Sequence, residues 1–445
     1  MSGLRARPTE LRLLLWPVAL AATGSVAVAL ADAGGATTLT GPTIVVPVAV
    51  AAAGLTLHVA LRILGSRSDQ VLVPLTLTLV AIGLVLVQRL APGLLPFQIA
   101  WLAVGLCAFI ATLALPRDLG ALSRYPYSWA LAGLVLLLSP LLPVIGREIN
   151  GARIWVRLGI GSFQPSEAAK IALVIFFAAY LAEHRELIAR ARAGRFGPFP
   201  RPPLAYLAPI LVMWIVAMLV LVAERDLGAT LLVFGAFLAL LYLATGELAY
   251  VAGGLLLLSA GGAAAVALFP HVAARIDIWQ RPFADDLRFG ASYQVVQGLF
   301  ALAGGGLFGA GLGGGLPERI PVVWSDFVFD AFAEETGFAG VLALLSAYLL
   351  LAYRGLAIAF RAPTAFLQLL AGGLAASLAI QTLVVVAGNA ALVPLTGMTL
   401  PFVAYGGSSL LANFVLLALL LRVSHASAAS TATARAAPTI GQPIG

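Results

Sequence analysis

The sequence predicts an all-α polytopic membrane protein with about twelve transmembrane helices, and three observations carry that reading. Hydrophobic residues make up 61% of the 445-residue chain and charged residues 10%, against roughly 25% charged in soluble domains. Apolar runs of about 20 residues, the length that crosses a bilayer, recur from end to end. Arginines collect in alternate connections between those runs.

The runs lie at 13–31, 43–63, 71–88, 95–115, 127–145, 166–183, 204–222, 229–245, 248–269, 327–352, 364–388 and 400–421. The first follows Arg5, Arg7 and Arg12 and ends near Ala-Asp-Ala at 31–33. It mimics a secretory signal, but with so many spans behind it we read it as uncleaved. The run at 166–183 opens with Ser166, Glu167 and Lys170, so a short or tilted span is expected.

With the N-terminus in the cytoplasm, most basic residues fall in cytoplasmic segments. Arg185, Arg190, Arg192, Arg195 and Arg201 share one of them. This is the positive-inside pattern; it puts both termini in the cytoplasm. It also accounts for the net charge of +7 without nucleic acid as a partner. Cys107 is the single cysteine, so no intrachain disulfide is possible.

The longest connection, 270–326, exceeds ordinary loop lengths, and such loops are functional or disordered. Its semi-apolar stretch from Val295 to Leu312 predicts partial helix. The tail 424–445, rich in Ala, Ser and Thr, is expected to be a disordered cytoplasmic end.

The outer arginines do not serve orientation and need another cause. In Gly151 to Lys170, Arg153 and Arg157 flank Trp155, and Gln-Pro-Ser-Glu then opens a helix. Pro165 suits a first helical turn. Lys170, the only lysine, either pairs with Glu167 or joins a cationic wall for phosphate oxygens. In Glu224 to Thr230, Asp226 either pairs locally or braces a cation of the first segment. In the long connection, Asp285 and Asp286 lie between Arg281 and Arg288. A carboxylate beside a hydroxyl can act as general base, and arginines can grip a diphosphate; an ordinary acidic turn has the same spacing.

The glycine run from Gly304 to Gly315 contains a GxGxxG match but lacks the strand–turn–helix context of a dinucleotide site. Asp326, Asp330 and Glu334 are spaced for one helical face, which points to a divalent cation or to pairing with an outer arginine such as Arg319. Tyr405, paired glycines, Ser408 and Ser409 open the last span, where small residues permit close packing.

Taken in order, GARIWVRLG, QPSEAAK, DLGAT, SYQVVQGLFALAGGGLFGAGLG, SDFVFDAFAEETGFAG and LPFVAYGGSS resemble the SEDS family (shape, elongation, division and sporulation proteins). The resemblance covers about residues 71–422. It implies a ten-helix core with two extra N-terminal helices and a large extracellular loop before the tenth span. The implied division is 1–66 as N-terminus and accessory pair, 67–423 as catalytic membrane domain, and 424–445 as tail. Ala404 and Thr336 depart from the family's usual serine and leucine and mark a divergent branch.

The resemblance further implies a peptidoglycan glycosyltransferase, in cell elongation or division, of the bacterial cytoplasmic membrane. It would polymerise lipid II, a polyprenyl diphosphate-linked disaccharide peptide, on the extracytoplasmic side beside a class B penicillin-binding protein. The family's key loop aspartate falls between a Trp-x-x-Pro stretch and Tyr-Gln. Here that is Asp285 or Asp286, between Trp279-Pro282 and Tyr293-Gln294; Asp285 is preferred. Arg153, Trp155, Arg157, Glu167, Lys170, Asp226, Arg281, Tyr293, Gln294, Glu334 and Ser408 are the substrate-binding candidates. Asp326, Asp330 and Glu334 are the metal candidates for Mg or Mn, and no organic cofactor is implied. A lipid II flippase and a structural organiser are the rival readings. A flippase needs polar groups through the membrane depth, and most spans here are uncharged at their middles.

Overall fold

The computed structural model describes residues 7–32, 41–115, 118–149, 152–158, 161–190, 195–196, 199–200 and 204–436. Arg5, Arg192 and Arg201, named above, lie outside them, as does the end of the Ala-Asp-Ala stretch.

The first half of the chain forms α1 (Pro8–Leu13), α2 (Leu15–Asp32), α3 (Gly41–Ile63), α4 (Leu72–Leu90), α5 (Leu95–Ala114), α6 (Pro126–Leu138), β1 (Gly146–Ile149), β2 (Ala152–Leu158), β3 (Gly161–Phe163) and α7 (Pro165–Arg190). The second half forms β4 (Arg195–Phe196), β5 (Phe199–Pro200), α8 (Leu204–Ala223), α9 (Leu227–Thr245), α10 (Leu248–Leu268), α11 (Pro270–Gln280), α12 (Tyr293–Gly305), α13 (Val328–Phe360), α14 (Ala365–Asn389) and α15 (Gly407–Ala436). Among the described residues, 10 helices are long and apolar enough to cross a membrane. Two shorter apolar helices, Pro126–Leu141 and Ala208–Ala223, stand at the expected fifth and seventh spans.

Helix is what lipid demands, since each backbone N–H and C=O must find its partner within the segment. Proline opens α5, α6 and α11 at the first turn, where no N–H is needed. Asp226 accepts from the Ala229 N–H at the start of α9, and Thr364 from the Leu367 N–H before α14; each satisfies one orphan donor.

The bundle centres on α7, whose apolar window is 89% buried, whereas α10 is only 6% buried and faces outward along nearly its whole length. The first two long helices pack on α4, with the Val85 side chain against Gly24. Their base is a buried cluster: Glu10 accepts from Arg7 at 2.5 Å and lies 2.7 Å from His58 Nδ1. Arg7 also donates to the Ser66 and Asp69 carbonyls. At this end Arg354 pairs with Asp69 at 3.1 Å. Asp69 N–H donates to Ser424 Oγ at 2.9 Å, and Arg67 N–H to His425 Nδ1 at 2.8 Å.

Three expectations are corrected. The chain is not wholly α: β1, β2 and β3 form an antiparallel sheet, with Arg147 opposite Trp155 and Arg157 opposite Ser162. Residues 424–436 of the expected disordered tail continue α15; they are alanine-rich, the best helix former, and Ser424 and His425 are bonded to the core. The last helix starts at Gly407, because 400–406 form a turn.

The long connection folds into α11 and α12. Helix α13 is broken at Gly337, where φ is 66° and ψ is −170°. The Phe338 and Ala339 N–H groups instead donate to the Gly306 and Leu307 carbonyls, at 2.9 and 3.0 Å.

Candidate active site

The buried polar residues away from the Glu10 cluster gather at the other end of the bundle, where the sheet, the α8–α9 turn, the 270–326 connection and the 389–408 segment meet. Lys170, one turn into α7, donates to Glu167 Oε2 at 2.6 Å and to Gln381 Oε1 of α14 at 2.8 Å. Their side chains are only 4% and 8% exposed for Lys170 and Glu167. The pair is therefore internal, and Lys170 is spoken for rather than free in a cationic wall. Gln381 in turn donates to the Thr399 carbonyl.

Asp226 caps α9 and also accepts from Gln164 Nε2 at 3.3 Å and Ser166 Oγ at 3.5 Å. It braces the first segment through an amide and a hydroxyl, not through the cation expected. Burial pushes its carboxyl upward, against the lowering effect of the Ala229 N–H and Arg275. Neighbouring Glu224 is buried, and its two oxygens have no hydrogen-bond partner among the described residues. Burial, then the nearby Asp226 charge, pushes it up to about 9, so it is neutral at pH 7.

Arg275 of α11 is half-buried and donates to the Leu395 and Thr396 carbonyls at 3.2 and 3.3 Å. Burial lowers its pKa, opposed by the charges of Asp226 and Asp326. Burial raises Asp326 to about 6, opposed by Ser325 Oγ and by Arg275. Asn389 Nδ2 donates to the Asp326 carbonyl at 2.9 Å, and Trp279 Nε1 to the Ala391 carbonyl at 2.8 Å.

Asp285 and Asp286 follow on an exposed turn after α11. Asp285 pairs with Arg288 at 2.8 Å, yet its side chain is 88% exposed. Arg281 pairs with Asp277 at 2.7 Å. The turn is closed by Ser292 Oγ donating to the Pro282 carbonyl at 2.6 Å. Gln294 donates to the Pro321 carbonyl, and Tyr293 starts α12, half-buried.

On β2, Arg153, Trp155 and Arg157 alternate onto one face of the strand. Arg147 opposes Trp155 and shares that face. Arg153 and Arg157 are exposed. The spacing that looked like arginines flanking a tryptophan is thus a cationic sheet face.

Two sets of candidates stand apart from this face. Ser408 Oγ accepts the Gln164 N–H at 2.9 Å and is buried, so it ties α15 to the α7 entrance. Asp326, Asp330 and Glu334 do not converge. Helix α13 begins at Val328, leaving Asp326 off the helix. Asp330 is buried against Gly298, and Glu334 accepts from the Leu316 N–H. Among the described residues no three His, Cys, Asp or Glu are grouped to hold a metal. The acid that finds an arginine is Glu335, with Arg89 at 3.1 Å, not one facing Arg319.

Residues 70–429 match the family of FtsW, RodA and SpoVE, described as cell cycle proteins. The peptidoglycan glycosyltransferase RodA of Mycobacterium tuberculosis is 44% identical over 381 residues, covering 83% of this chain and 80% of the relative. The probable peptidoglycan glycosyltransferase FtsW of Legionella pneumophila is 33% identical, covering 74% and 80%. Among solved structures, a chain of a peptidoglycan synthase complex that coordinates polymerization and crosslinking aligns with a TM-score of 0.67 at 32% identity, over 81% of this chain and 98% of its own length. RodA of Thermus thermophilus aligns with a TM-score of 0.55 at 31% identity, over 80% and 97%.

Proposed function

The chain belongs to the FtsW/RodA/SpoVE family, and from that membership we propose that this peptidoglycan glycosyltransferase polymerises lipid II into glycan strands. The reaction takes place at the outer face of the bacterial cytoplasmic membrane, with both termini inside and twelve spans. A class B penicillin-binding protein cross-links the product.

The observation that carries the reading is a contrast within one end of the bundle. A rigid, buried polar centre anchors α11, and the turn that follows presents Asp285 with its side chain 88% exposed. A base for a membrane-tethered sugar must meet a substrate too large for a closed pocket, and must come within hydrogen-bond reach of the hydroxyl. Asp285 takes the proton from the acceptor sugar 4-hydroxyl as its oxygen attacks the donor's anomeric carbon. The bond to the polyprenyl diphosphate breaks, and the anomeric centre inverts. Arg153 and Arg157 on the sheet face, with Arg281, supply charge-assisted donors for the diphosphate as its negative charge grows. The carboxylates do not fit a protein-built cage for Mg or Mn, so no step is routed through a metal.

The test is polymerisation of labelled lipid II by the purified protein with its penicillin-binding protein. Wild type and Asp286→Asn make chains, and Asp285→Asn makes none. Normal chains from Asp285→Asn overturn the base assignment. No chains from wild type, with translocation of lipid II across vesicles, overturns the polymerase in favour of a flippase.

A further inference from the structure

We propose that Arg275 is a positioning residue, fixing α11 so that the turn after it holds the base at its working place; this rests on the function proposed above. Helix α11 has 11 residues and a single buried one, Val272. A helix of that length is marginal by itself, so its place is set by what grips it. Arg275 and Trp279, one helical turn apart and on one face, both donate to backbone carbonyls of the 389–397 segment: Leu395, Thr396 and Ala391.

A single guanidinium nitrogen, Nη1, carries two donors and holds both the Leu395 and Thr396 carbonyls. The negative charges of Asp226, which caps α9, and Asp326, whose carbonyl is held by Asn389 of α14, act on the same guanidinium without pairing with it. One side chain thus ties α11 to the segment that follows α14. In the same neighbourhood the Glu167 charge acts on Asp226, the Asp226 charge on Glu224, and Arg225 and Arg275 on His271.

Asp285 lies ten residues beyond Arg275. The path between them is the rest of α11 and a turn braced by bonds from the Arg281 N–H to the Asp277 carbonyl, the Ala284 N–H to the Arg281 carbonyl, and Ser292 Oγ to the Pro282 carbonyl. That path is stiff, so displacement at Arg275 passes to the carboxylate. Arg275 itself is half-buried with its Nη1 committed to backbone, and so it acts through the turn rather than on substrate.

The test uses the full chain with its penicillin-binding protein, comparing wild type, Arg275→Lys, Arg275→Gln and Trp279→Phe. A catalytic group misplaced by about 1 Å loses roughly a hundredfold in rate. Arg275→Gln is expected to lose about that much kcat with KM for lipid II unchanged, and Arg275→Lys to recover part of it. Trp279→Phe, which keeps the ring and removes one donor, loses kcat to a smaller degree and covers the case in which Arg275→Gln does not fold.

The pH profile separates this role from packing. Wild-type rate falls as pH drops through about 6, where Asp326 takes up a proton and Arg275 loses one flanking charge. Arg275→Gln loses that limb, because no cation remains to be released. Hydrogen exchange of residues 281–292 gives a readout independent of activity: it speeds in the variants while α7 is unchanged. Unchanged exchange in both Arg275 variants overturns the inference even if wild type polymerises nothing. A rise in KM at constant kcat overturns it in favour of a substrate contact. Chains missing from wild type alone count against the proposed function.

Discussion

Replacing Lys170 with methionine tests whether the buried pair at the head of α7 holds the bundle together. Lys170 and Glu167 are 4% and 8% exposed, and Nζ lies 2.6 Å from the carboxylate and 2.8 Å from Gln381 Oε1. An exposed pair of this kind would contribute no more than about 1 kcal/mol. Here Lys170→Met keeps the packing volume but strands the Glu167 carboxylate away from water, and the cost of breaking a buried pair is about 3–5 kcal/mol. Glu167→Gln added to Lys170→Met removes the stranded charge. The double variant is therefore expected to be more stable than Lys170→Met by about 2 kcal/mol, within the coupling range of contacting residues. Equilibrium unfolding of the purified protein in detergent, followed by helical circular dichroism, measures all three. Lys170→Met within about 1 kcal/mol of wild type, or a double variant no better than it, would refute the reasoning.

Two further variants probe the frame around the site. Glu10→Leu leaves Arg7 without its carboxylate in a buried position and should destabilise by about 3 kcal/mol; protease cleavage in the N-terminal helices at rates matching wild type would count against this. Gly337→Ala puts a Cβ 2.3 Å from the Gly309 nitrogen at φ +66°, a conformation that alone costs of order 1–3 kcal/mol. Gly304→Ala, with nothing within 4 Å of its Cβ, is the control. Its unfolding midpoint should stay at or above wild type, and equal losses from the two glycines would contradict the geometry.

The sequence exposed the helices because a lipid-crossing run announces itself by composition alone. It concealed the sheet because Ala152–Leu158 is short and sits between two spans. The alternation of Arg153, Trp155 and Arg157 was the signal available. Asp285 and Asp286 were readable as a charged turn, and their exposure agrees with one. The buried centre was half legible. Glu167 and Lys170 are neighbours on one helix, but Gln381 meets Lys170 from 211 residues away. Arg275 could not be singled out among the loop arginines, since its hydrogen-bond acceptors are carbonyls, which leave no trace in side-chain identity. The partner of Ser408 was hidden in the same way, since it is the Gln164 backbone N–H. The acidic row failed because i, i+4 spacing aligns residues only inside a helix, and α13 starts two residues after Asp326.

The bonds from Arg67 to His425 and from Asp69 to Ser424 also set a timetable. Their partners are 358 and 355 residues apart in sequence. At the roughly 5–20 residues per second of synthesis, the connection after α3 waits on the order of 20–70 s for the acceptors that α15 brings. During that interval α2, α3, α4 and the Arg7 cluster are joined first by α5 and then by α13, whose Arg354 reaches Asp69. Helix α15 then closes onto a connection made on the order of 20–70 s before.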